Sequence, residues 1–189
     1  MNAITGLVLA GGMGRRMDSR DKGLVEFRGK PMVAHVIERL APQVNSLLIN
    51  ANRSLTAYAA FGLPMISDEV SGYAGPLAGL HAGLKYCATP FIVTAPCDSP
   101  FLPTDLVAKL YEALQENIVE LAVAKTGDQA QPVFALYSAT LLPSLTQFLE
   151  SGGRKIDAWY STHRVVEVPF ADESAFANIN TIAELQALQ

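Results

Sequence analysis

Residues 4–22 read ITGLVLAGGMGRRMDSRDK, and this stretch decides the fold. Ile4 to Ala10 is an apolar, β-branched run of the kind that forms a strand buried on both faces. It ends at Gly11-Gly12, with Gly14 two residues on. Glycines there remove the Cβ atoms that would hold a ligand away from the backbone, and free N–H groups in such a turn converge on anions. Arg15, Arg16, Arg20 and Lys22 follow directly. Six of the 14 Lys and Arg residues lie between positions 15 and 30, in a chain of net charge −4. Buried strand, glycine turn and clustered cations point together to phosphate binding. The pattern is neither the P-loop G-x-x-x-x-G-K-[ST] nor the dinucleotide fingerprint G-x-G-x-x-G.

Outward from this loop, apolar runs alternate with helical stripes. Leu24 to Phe27 reads as a short extended piece closed by the Gly29-Lys30-Pro31 turn. Met32, Val33, Val36, Ile37 and Leu40 form a helical stripe that stops near Pro42, with His35 read as a satisfied helix histidine. Ser46 to Asn50 is a second buried strand, and Ser54 is placed to cap a short helix to Ala60. Pro64 to Ser67 is a third strand, ending at Asp68, and Leu77 to Lys85 a closely packing helix rich in Ala and Gly. Phe91 to Ala95 is the central strand, followed by a helix over Pro103 to Gln115. Strands at Val119 to Ala124 and Val133 to Tyr137, placed to pair with each other, flank the polar turn KTGDQAQP. Helices over Ala139 to Glu150 and Arg154 to Tyr160, a strand at Arg164 to Val168 and a helix from Ile182 complete the chain. This alternation predicts an α/β fold: one domain over residues 1–189, three layers, with a mainly parallel sheet between helices.

Polar residues at the carboxyl ends of these strands are the candidate site, because ligands bind there in open α/β sheets. Asn50 and Asn52 form a polar pair at the end of the second strand, where Asn also serves as a cap or turn residue; Asp68 alone reads as a turn residue. Asp98 follows the central strand between Pro96 and Pro100. A carboxylate facing a phosphate loop is a hard-oxygen ligand for Mg²⁺, and the competing role of helix cap is weaker because the next helix starts later. Cys97 reads as a small packed residue.

The segment Leu9-Ala10-Gly11-Gly12, with Arg16-Met17 and then Asp21-Lys22, resembles the signature loop of the Rossmann-like nucleotidyltransferases. Within them it is most similar to the molybdenum cofactor guanylyltransferases, which join GMP to molybdopterin. Asp18 stands where that family usually has Gly, and Asp tolerates left-handed backbone better than most residues. Gly75 to Leu80, GPLAGL, is a further family segment. The resemblance implies that Leu9, Ala10, Gly11, Gly12, Lys22, Asn50, Asp68 and Asp98 contact GTP. It implies catalytic roles for Arg16, Lys22 and Asp98, with Mg²⁺ on Asp98. Asn178 and Asn180, which by themselves read as loop or cap residues beside Thr181, would face the acceptor molybdopterin. It also implies transient contacts with other cofactor-biosynthesis or molybdoenzyme-maturation proteins. Transfer to another phosphorylated acceptor, such as a sugar phosphate, and a non-catalytic nucleotide-binding adaptor are the alternatives.

With 189 residues, half of them hydrophobic and 17% charged, the chain is globular and buries about 70% of its unfolded surface. Its acidic balance argues against nucleic-acid or membrane-surface binding. Two cysteines, Cys87 and Cys97, make neither a disulfide framework nor a zinc site. No charged leader region and no apolar run of transmembrane length occur, so a cytoplasmic protein is expected.

Overall fold

Strand β1 (Ile4–Leu9) is third from one edge of a seven-stranded sheet, beside its middle strand. A computed structural model describes residues 3–12, 21–70 and 75–188 of the chain. β1 pairs in parallel with β4 (Ser46–Asn50) on one side and β6 (Phe91–Pro96) on the other. The order continues outward from β4 to β5 (Met65–Ile66). On the other side β8 (Gln129–Ser138) follows β6, then β7 (Leu121–Thr126) and β9 (Val165–Phe170). Among the described residues of this sheet, β8 is the antiparallel member, pairing with both β6 and β7. The mainly parallel sheet expected from the sequence is therefore present.

Side chains of β1 alternate between two cores, which is why the strand reads as continuously apolar. Ile4 and Val8 pack with helix α1 (Met32–Leu40) and helix α4 (Leu106–Asn117). Leu7 packs on the opposite face with helix α3 (Pro76–Tyr86), helix α5 (Leu142–Glu150) and Trp159 of helix α6 (Ile156–Tyr160). Helix α3 lies unusually near the strands. A Cβ on Gly83 would fall 2.6 Å from Leu7 Cδ2, and one on Gly79 2.6 Å from Leu9 Cδ2.

Several boundaries differ from the sequence reading, each for a local reason. Lys22–Leu24 is a 3₁₀ turn, and the strand is confined to Glu26–Phe27 (β2), paired with Lys30–Pro31 (β3). Ser54 precedes helix α2 (Leu55–Ala59) but adopts left-handed backbone, φ 52°, and its side chain makes no cap bond. Helix α4 begins at Leu106 rather than Pro103: Val107 N, which would donate to the Pro103 carbonyl in a longer helix, donates to Gln43 Oε1 at 3.0 Å, and Gln43 Nε2 donates to that carbonyl at 2.9 Å. The polar turn KTGDQAQP is largely strand: β7 and β8 continue outward as a hairpin around Gly127, φ 51°. The register shifts between Val123 and Ala124, and β8 leaves β6 after the Thr94–Ala135 pair. His35 is satisfied, its Nε2 lying 2.8 Å from the Phe27 carbonyl oxygen. No helix among the described residues is long and apolar enough to cross a membrane.

Candidate active site

Strands β1, β4 and β6 run side by side and in the same direction, so the residues just beyond their carboxyl ends gather at one edge of the sheet. The backbone knits this edge together. Ala10 N donates to the Asn50 carbonyl at 2.8 Å, and Cys97 N donates to the Leu9 carbonyl at 3.1 Å. A Cβ on Gly11 would fall 2.7 Å from Asn52 Nδ2 and 3.1 Å from Asn50 Oδ1, so a larger residue there would push against both asparagine side chains. Gly12 instead faces open space, with no described atom within 4 Å of a Cβ placed there. Arg16, with the rest of residues 13–20, lies outside the described residues.

Lys22 reaches across this edge. Its Nζ donates to Asn180 Oδ1 at 2.6 Å and lies 3.3 Å from Asp98 Oδ2. Asp98 is 9% exposed. Burial raises its carboxyl above the ordinary carboxylate pKa, and the Lys22 ammonium draws it partly back. The segment bearing Asn178 and Asn180 is tied to the Asp98 turn, since Ile179 N donates to the Asp98 carbonyl at 2.9 Å. Ser99, fully buried, hydrogen-bonds through Oγ to Asn178 Oδ1. Thr181, rather than either asparagine, caps helix α7 (Ile182–Ala187), in a capping box with Glu184. Asn178 and Asn180 are thus free of the capping duty that competes for such residues. Cys97 is buried and its thiol is pushed up in pKa by desolvation, so it stays protonated and packs as expected.

A second group lies at the ends of β4 and β5. Asn50 Nδ2 donates to Asp68 Oδ1 and Asn52 Nδ2 to Asp68 Oδ2, each at 2.8 Å. Asp68 N donates back to Asn52 Oδ1 at 2.9 Å. Amide donors therefore hold both carboxylate oxygens of Asp68. Asn52 was read only as the second member of the polar pair with Asn50, and Ser99 carries no role in the sequence reading; its position beside Asp98 was the signal available for it.

Gly79 explains part of the GPLAGL segment. A Cβ there would meet Asn50 Oδ1 at 2.4 Å, so α3 supports the Asn50 side chain by having none of its own. Gly79→Ala is expected to lower stability by about 2 kcal/mol through overpacking and to weaken nucleotide binding with it. Melting curves and nucleotide titrations check this; a variant as stable and as tight as the parent would contradict it.

Hard oxygens, a lysine and a pair of glycines on one sheet edge suit the transfer of a phosphate-linked nucleotide. Residues 6–165 match the family model described as the MobA-like NTP transferase domain, which places the chain among the nucleotidyltransferases. A molybdenum cofactor guanylyltransferase of Cupriavidus taiwanensis is 56% identical, with 97% of this chain and 95% of the relative covered. One from Bordetella petrii is 52% identical, covering 98% and 96%. The crystal structure of molybdopterin-guanine dinucleotide biosynthesis protein A from Archaeoglobus fulgidus superposes with a TM-score of 0.81 at 26% identity, covering 97% and 96%. The chain belongs to the molybdenum cofactor guanylyltransferase family.

Proposed function

We propose that the chain transfers GMP from GTP to molybdopterin and releases pyrophosphate. The observation that carries this reading is the meeting of Lys22, Asp98 and Asn180 beside the Gly11-Gly12 turn. The relatives' names supply the base and the acceptor.

In this reading an oxygen of the acceptor's terminal phosphate attacks the α-phosphorus of GTP. The bond from that phosphorus to the β-bridging oxygen breaks, and its electron pair leaves with pyrophosphate. Gly11 and Gly12 present backbone to the triphosphate, with Arg16 and Lys22 supplying positive charge; Leu9 and Ala10, whose carbonyl and N–H are taken by Cys97 N and the Asn50 carbonyl, line the nucleotide site beneath them. Asn50 and Asp68 hold the nucleoside end, and Asn178 and Asn180 the acceptor side. Holding two anionic substrates in register, with their charge offset, supplies most of the acceleration.

A divalent cation fits the residues present. Among the described residues no group of three or more His, Cys, Asp or Glu could cage one. A largely buried carboxylate with an amide oxygen nearby suits Mg²⁺, which keeps several waters and takes the rest of its shell from substrate phosphates. Asp98 would hold it, and it would neutralise charge developing on the phosphate oxygens. Transient contacts with proteins that supply molybdopterin or receive the product belong to the same proposal.

GTP with Mg²⁺ should raise the melting temperature by about 5 to 10 °C at a hundredfold excess over Kd, and ATP by much less. A thermal-shift panel measures this. Equal stabilisation by the two nucleotides would count against guanylyl specificity.

A further inference from the structure

We propose that Tyr58 and Asp21 are positioning residues that fix Lys22 at the phosphate site, an inference that rests on Lys22 contacting the triphosphate. Asp21 immediately precedes Lys22, and its side chain is only 7% exposed. The Tyr58 hydroxyl, wholly buried, donates to Asp21 Oδ1 at 2.6 Å. Asp21 Oδ2 makes no hydrogen bond among the described residues and faces Arg53 Nε at 3.6 Å. A carboxylate taken out of water in this way is costly unless it is bonded and paired. Apolar packing would hold a turn here without that cost. The pairing therefore has a use other than filling space.

That use is visible in the backbone. Leu24 N donates to the Asp21 carbonyl at 3.0 Å and Val25 N to the Lys22 carbonyl at 3.2 Å, closing a tight 3₁₀ turn around Lys22. The turn packs closely at Gly23, where a Cβ would fall 2.5 Å from the Tyr58 hydroxyl and 3.1 Å from Cys97 Sγ. Cys97 directly precedes Asp98. The Lys22 main chain is thus set between α2 and the Asp98 turn before its side chain extends. A lysine has four rotatable bonds, and ordering it costs entropy. Anchoring its backbone reduces the freedom left to lose. Arg53 also follows Asn52, the residue that holds Asp68. Asp21 therefore links the nucleoside end of the site to its phosphate end.

A double-mutant cycle separates positioning from packing. GTP affinity and melting temperature are measured for the parent protein, Tyr58→Phe, Lys22→Ala and the double variant. Tyr58→Phe should weaken GTP binding about tenfold when Lys22 is present and less than about twofold when it is absent. The fall in melting temperature should be similar in both backgrounds, because the buried hydrogen bond is lost in each. Equal losses of affinity in the two backgrounds, or none in either, would overturn the positioning role. If Lys22→Ala alone left GTP affinity unchanged, the phosphate-site reading would fall with it. If Lys22→Ala weakened binding but showed no coupling to Tyr58, only the present proposal would fall. Should Tyr58→Phe not fold, Asp21→Asn enters the same cycle with the same expectations, because it keeps an oxygen for the Tyr58 hydroxyl and loses the charge facing Arg53.

Discussion

Asp98→Asn should fold normally and lose roughly a thousandfold in pyrophosphate release. Asn has nearly the same shape and still offers an oxygen, so the turn between Pro96 and Pro100 keeps its packing. The ionised carboxylate is itself a burden on the fold, as its raised pKa shows, and Asn does not carry it. Lys22 loses an ionic partner but retains Asn180 Oδ1 and is 22% exposed along its side chain, so water can serve it. The melting temperature at neutral pH is therefore expected at or above that of the parent. What goes missing is negative charge to hold a cation against the phosphates. Losing about 4 kcal/mol of transition-state stabilisation corresponds to the thousandfold drop. Pyrophosphate release across a Mg²⁺ titration, beside a melting curve, measures both halves. A well-folded variant working within a few-fold of the parent would remove Asp98 from the mechanism.

Lys22→Ala should weaken GTP binding and turnover together, by up to about a hundredfold in kcat/KM. An ammonium on a phosphate acts in the ground state and the transition state alike, so the loss is divided between affinity and rate. Stability should move the other way from Asp98→Asn. Without the ammonium 3.3 Å away, the buried Asp98 carboxylate has lost the charge that offsets its desolvation. Steady-state kinetics and a GTP titration test this. Unchanged GTP affinity would withdraw Lys22 as a phosphate ligand.

These two residues show how far the sequence was legible. β1, β4 and β6 stand out because each is buried on both faces and bounded by Gly, Asn or Pro, and Ser46–Asn50 was legible to the residue. The residues at their carboxyl ends come with that frame: Asn50 and Asp68, 18 positions apart, meet at 2.8 Å. Lys22 and Asn180, separated by 158 positions, were brought together in the reading only by family resemblance. Tyr58 was hidden, since a five-residue helix has too few turns for periodicity to say which side chain points inward. The pairing of β7 with β8 was legible in their apolar halves, but the outer half of the hairpin was hidden. That half satisfies its backbone by antiparallel pairing, so polar residues such as Gln129 and Gln131 occupy strand positions without an apolar signal.

The central claim is guanylyl transfer to molybdopterin, and following the label of α-phosphate-labelled GTP tests it most directly. Purified protein with Mg²⁺, labelled GTP and molybdopterin should convert the label into a pterin–guanine dinucleotide with matching release of pyrophosphate. Neither product should form when molybdopterin is omitted or replaced by a sugar phosphate. Failure to transfer the label, or equal transfer from labelled ATP or to a sugar phosphate, would contradict the account.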